Sequence, residues 1–155
     1  WRLGEEPVLV YEELDSTFGI TVSKGRYGQT LFLTAFAGDV TEVRYLNAAQ
    51  PEGEWILFHP RTENLEYGLD EGADRFYVST NYNRPDYRVM EAPMRPTPPA
   101  EWRDTYTPAV GVTVEGVEVF RDFLVVTERE GGLTHLRVID RASGAGRRIP
   151  QPDPL

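Results

Sequence analysis

Thr30-Leu31-Phe32-Leu33-Thr34-Ala35-Phe36 is a run of apolar, β-branched and aromatic residues with no helical spacing. Apolar side chains fall on both of its faces, as in a strand covered by sheets on each side. Phe123-Leu124-Val125-Val126-Thr127 reads the same way. A strand starting at Leu31 has counterparts starting at Phe76 and Phe123, at offsets of 45 and 47 residues. A second strand follows each one: Val43-Arg44-Tyr45-Leu46, Tyr87-Arg88-Val89-Met90 and Leu136-Arg137-Val138-Ile139. Arg44, Arg88 and Arg137 hold the same place in this reading.

Further runs complete each unit. Gly19-Ile20-Thr21-Val22-Ser23, Leu65-Glu66-Tyr67-Gly68-Leu69 and Val112-Thr113-Val114-Glu115-Gly116-Val117 open the three units, and Glu54-Trp55 and Glu101-Trp102 recur 47 residues apart. Four strands in about 45 residues is the size of a β-propeller blade. The chain is therefore predicted to be all-β, with three four-stranded antiparallel blades over residues 19–61, 62–107 and 108–150. Residues 1–18 would supply the outer strand of a preceding blade, Val8-Leu9-Val10-Tyr11, and the step to the next. Residues 93–99 carry too many prolines for a central strand and are expected to loop between third and fourth strands. Asp140 to Gly144 reads as a turn, and 151–155 as a tail. Three blades leave two open faces, which predicts self-association or neighbouring blades in a larger protein.

The 155 residues include no cysteine, which excludes disulfides, zinc–thiolate sites and cysteine nucleophiles and fits a cytoplasmic setting. No apolar run is long enough to span a membrane. The start, Trp1 to Glu6, has neither an apolar signal core nor an initiator Met, so the chain reads as a piece of a larger or processed protein. The net charge of −9 is uneven, with 14 acids against 6 bases over residues 1–75 and 11 against 10 over 76–155. Such a field disfavours nucleic acid and favours cationic partners.

Chemistry-bearing patterns are sparse. Ser16, Ser23, Ser79 and Ser143 lie in no Gly-x-Ser-x-Gly elbow. His59 and His135 fall in strand-like segments. Glu63, Glu66, Asp70, Glu71 and Asp74 lack calcium-loop spacing, and Gly144-Ala145-Gly146-Arg147-Arg148 lacks the third glycine of a dinucleotide loop. The three repeated arginines are expected to pair with carboxylates on an adjoining strand or blade. Tyr11, Tyr45, Tyr67, Tyr77, Tyr82 and Tyr87 are expected to pack between blades with hydroxyls toward water. No catalytic, cofactor-binding or metal-ligating residue is assigned.

Several stretches, in order and at matching spacing, resemble the oligopeptidase B (protease II) family. They are Val8-Leu9-Val10-Tyr11-Glu12-Glu13, Asp15-Ser16-Thr17-Phe18, Thr41-Glu42-Val43-Arg44-Tyr45-Leu46, Phe58-His59-Pro60-Arg61, Asp74-Arg75-Phe76-Tyr77, Phe123 to Arg129 and Gly132 to Ile139. The resemblance is weakest at 91–101. It implies a prolyl-oligopeptidase-like serine peptidase, with a seven-bladed propeller joined to an α/β-hydrolase domain, that cuts short peptides after Lys or Arg without a metal cofactor. The triad of such enzymes belongs to the hydrolase domain, and none of its motifs matches a position here. The chain would supply about three of seven blades, partnered by that domain, and gate access of short cationic peptides. A free-standing propeller that binds another protein is the competing reading, although no Gly-His…Trp-Asp signature is present. A glycan- or metal-binding sandwich would explain the strands but not the repeat.

Overall fold

The computed structural model describes residue 4 and residues 6–150. Twelve strands form three four-stranded sheets. Blade 1 holds β1 (Gly19–Lys24), β2 (Thr30–Ala37), β3 (Val40–Asn47) and β4 (Ile56–His59). Blade 2 holds β5 (Tyr67–Glu71), β6 (Arg75–Thr80), β7 (Arg88–Pro93) and β8 (Arg103–Tyr106). Blade 3 holds β9 (Val112–Val119), β10 (Phe123–Glu130), β11 (Leu133–Asp140) and β12 (Gly146–Arg148). Within each sheet, spatial order follows chain order and every pairing is antiparallel. This is the predicted four-stranded meander, three times over. The tail at 151–155 lies outside the described residues.

Local chemistry explains the elements. The central strands carry the β-branched and aromatic residues that pack on a pleated surface. Gly131 and Gly132 fill the two-residue β10–β11 turn at φ 57° and 83°. Positive φ at both central positions is what a hairpin turn matching strand twist demands. The proline-rich segment after β7 forms a bend and a short 3₁₀ turn, Pro99–Glu101. Pro93 stands at the last pair of β7, opposite Arg75, where a missing donor costs least. The segment then crosses to blade 1, where Thr97 N–H donates to the Phe58 carbonyl at 3.2 Å.

Three expectations meet the structure differently. First, Val8 to Tyr11 pair with no strand among the described residues, which include no preceding blade to receive them as an outer strand, and Val8 and Leu9 are 83% and 75% exposed. A strand forms only against a neighbour that completes its ladder. Second, the open face of blade 1 is partly covered. Arg61 is bonded to Glu13 and lies over the Phe18 ring at 3.7 Å, while Arg44 lies 5.5 Å from the Tyr11 ring centroid. Leu33 and Ala35 on that face are buried. Third, the repeat register slips. Phe76 faces blade 1, and the residue of blade 3 that faces blade 2 in the same way is Leu124, one after Phe123. A one-residue shift sends a side chain to the opposite face, and Phe123 is accordingly 37% exposed.

Two cores result. Between blades 1 and 2 lie Phe32, Tyr45, Phe58, Tyr67, Phe76, Val78, Met90 and Trp102. Between blades 2 and 3 lie Tyr77, Val89, Val114, Val119, Leu124, Val126 and Ile139.

Candidate functional site

The first strands sit where the sheets converge. β5 packs against β2 and β3 of the blade before it, and touches β9 of the blade after it. The free edges of β5 and β9 therefore lie side by side and form an inner wall. β1 holds the corresponding place in blade 1 and exposes Ile20 and Val22, and β9 exposes Glu115 and Glu118. Glu115 bonds Arg129 at 2.5 Å. A β-bulge between Thr127 and Glu128 shifts the β9 register, so Val112 and Val114 face blade 2 together with Val119.

Polar contacts zip the inner wall. Thr41 Oγ1 donates to the Tyr67 carbonyl and accepts Tyr67 N–H, at 2.9 and 2.7 Å. Val114 N–H donates to the Asp86 carbonyl. At the other end, Val119 N–H donates to Asp70 Oδ2 at 3.0 Å, and Gln29 N–H to Glu71 Oε1 at 3.0 Å. Burial raises the Asp70 carboxyl above its usual range, against the bonds it accepts from Val119 and Glu71. Glu71 is wholly buried and lies against Gly25, where a Cβ would meet its Cδ at 2.5 Å. A side chain at position 25 would have to displace the buried Glu71 carboxylate.

A cleft of about 430 Å³ opens between the blades, lined by Thr41, Glu66, Ser79, Tyr87, Thr113 and Glu115 among others. Tyr87 holds φ 60°, uncommon for a bulky residue. Burial and its bond to the Glu66 carboxylate push its hydroxyl up to about 12.

The sequence candidates disperse. Among the described residues, no serine hydrogen-bonds a histidine. His59 meets Thr62 Oγ1 at 3.2 Å, and burial lowers its pKa. Ser143 Oγ donates to Asp140 within its turn. Asp74 pairs with Arg75 at 2.9 Å. Arg88 and Arg137 pair with carboxylates on adjoining strands, Asp104 at 2.9 Å and Glu128 at 2.7 Å. Arg44 departs from this, reaching Glu42 on its own strand at 3.0 Å. The three arginines are not equivalent either. The outer bulges fall between Val43 and Arg44 and between Val89 and Met90, so Met90 takes Arg44's place in blade 2. The tyrosines also differ from expectation. The Tyr67 hydroxyl donates to the His59 carbonyl at 2.6 Å and accepts Val43 N–H at 2.9 Å, and the Tyr77 hydroxyl accepts from Arg141 at 2.8 Å.

Two hubs went unread in the sequence. Glu128 is fully buried beneath Arg137, Arg148 and the Tyr106 hydroxyl. Burial works against its charge, but the bonds from Arg137, Tyr106 and Arg148 hold its pKa below the usual value. The available signal was a carboxylate in step with Leu124 and Val126 on a buried face. Arg141 also joins all three blades, through Tyr27, Tyr77 and the Phe120 carbonyl. Nothing in its turn sequence announced that.

Three chained sheets converging on their first strands are blades of one propeller, and a family model agrees. Residues 2–154 match the N-terminal β-propeller domain of prolyl oligopeptidase. The chain belongs to that family. It is 33% identical over 141 residues to dipeptidyl aminopeptidase BI of Pseudoxanthomonas mexicana, covering 90% of this chain and 19% of the relative. Protease 2 of Moraxella lacunata is 24% identical over 164 residues, covering 99% and 22%. Oligopeptidase B from Trypanosoma brucei superposes with TM-score 0.85 at 21% identity, over 99% of this chain and 23% of that one. Oligopeptidase B from Leishmania major gives 0.84 at 21%, over 96% and 22%. These two structures establish the propeller fold. The chain spans about a fifth of its relatives' length.

Proposed function

We propose that this prolyl oligopeptidase propeller segment gates a serine peptidase that hydrolyses short peptides after Lys or Arg. The observation that carries the reading is the inner wall, where first strands of successive blades line one edge and bear exposed Glu115 and Glu118. An acidic chain of net charge −9 draws cationic peptides toward that edge by long-range steering. A propeller over an active site restricts water and folded substrates while admitting flexible chains. Hydrolysis itself would reside in an α/β-hydrolase domain, so this chain alone should not turn over an arginyl reporter substrate. The absence of cysteine supports a cytoplasmic setting. The far face of blade 3, with Phe123 and Leu136 partly exposed, would meet a further blade or a second copy of the chain.

The test is the salt dependence of the whole peptidase on a short arginyl peptide. Steering predicts that kcat/KM falls several-fold between low and physiological salt while kcat holds. A flat kcat/KM would overturn it. Sedimentation of the chain over a concentration series tests the apolar face; a monomer throughout would refute self-association.

A further inference from the structure

One side chain joins blades 1 and 3 across blade 2. Arg26, in the β1–β2 loop, places Nη2 2.9 Å from Glu118 Oε2 on β9. Its guanidinium carbon lies 4.8 Å from the centroid of the Phe120 ring. Phe120 is itself backed by Phe123, with centroids 4.8 Å apart and planes 20° from parallel. A carboxylate beside a fixed aromatic face is a guanidinium-recognition pair: one supplies charge and acceptors, the other a flat, electron-rich surface. The loop that delivers Arg26 is anchored independently, since Gln29 N–H donates to Glu71 and the Tyr27 hydroxyl accepts from Arg141. Arg26 and Glu118, by contrast, are 44% and 55% exposed. Arg121 nearby is taken by Asp122 at 3.0 Å.

We propose that Glu118 and Phe120 form a guanidinium-binding site on the inner edge of blade 3, occupied at rest by Arg26 and open to exchange with an arginine side chain of an incoming peptide. The biological role rests on the peptide-gating reading above; the site itself is a property of this chain. Exchange replaces one guanidinium with another, so little free energy separates the two states, and a half-exposed ion pair is weak enough to open. Arg26 acts as a tethered competitor whose effective concentration is of millimolar order. Displacing it leaves the loop held by its Glu71 and Arg141 contacts.

The experiment titrates N-acetyl-arginine amide, and its uncharged citrulline counterpart, into the 155-residue chain while following the backbone amide signals of residues 117–123. Arg26→Gln should bind the arginine amide about tenfold more tightly than the native chain, because the competitor is gone. Adding Glu118→Gln to that variant should abolish the binding, and citrulline amide should bind to none of them. Unchanged β6 and β7 signals check that each variant keeps its fold. Equal affinity in the native chain and Arg26→Gln overturns the proposal, as does binding that survives Glu118→Gln or extends to citrulline. No turnover is measured, so a failed salt test of gating and a failed binding test here are separate results.

Discussion

The two blade–blade interfaces solve the same packing problem with opposite chemistry. Between blades 1 and 2 the contact is aromatic: Phe76 meets Phe32, Tyr45 and Phe58 edge-on, with centroids 5.0 to 5.7 Å apart, and Trp102 stacks on Phe58 at 5.9 Å. Between blades 2 and 3 a smaller aliphatic core is joined to a charged cluster, in which buried Glu128 takes Arg137, Arg148 and Tyr106. An aromatic interface gains from area and edge-to-face geometry and tolerates small shifts. A buried carboxylate tolerates none, because each lost partner leaves a desolvated charge. Of the three partners of Glu128, Arg137 and Arg148 belong to its own sheet, and the Tyr106 hydroxyl alone reaches it from blade 2.

The largest expected effect comes from the aromatic side. Phe76→Ala removes the ring on which three others converge and should cost about 3–5 kcal/mol, read as a fall in the urea midpoint. Glu128→Ala should cost about 2–4 kcal/mol, since two guanidiniums lose their shared acceptor. Combining Glu128→Val with Arg137→Met copies the residue that blade 2 carries at Met90. That pair should recover part of the loss, and a double variant no more stable than Glu128→Ala would show that the charge is needed for more than pairing.

Gly25→Ala should cost about 1–3 kcal/mol by pressing on the buried Glu71 side chain; an unchanged midpoint would mean that the inner wall yields easily. The smallest effect is in pH. Glu128 titrates in the folded chain below its ordinary 4.5. Its stabilisation is therefore complete above that value and is lost as the pH falls through the lowered one. The stability gap between the native chain and Glu128→Gln should shrink on acidification in that range. A gap independent of pH would place the carboxylate's contribution in packing alone.

Much of the fold was legible because blades are local. Each hairpin joins neighbours in sequence, so alternation and turn residues report it directly, as at Gly131-Gly132. Register was less legible. Phe123 and Leu124 are both apolar and adjacent, and only the neighbouring blade decides which faces inward. Arg88 looked equivalent to Arg44 and Arg137 because spacing hides a bulge, which adds a residue to one strand and not to its partner. The candidate wall was hardest to see. Glu118 is an ordinary exposed residue of β9, and its partner Arg26 stands two blades earlier.

The all-β class, the blade-sized repeat and the absence of a nucleophile elbow were legible from residue type and short-range spacing. Tertiary structure alone decided that Glu128 is fully buried, that Arg141 ties three blades, and that Arg26 reaches Glu118. The last two contacts join residues far apart in the chain, and their geometry follows from how one twisted sheet seats on the next, a relation that no local pattern encodes.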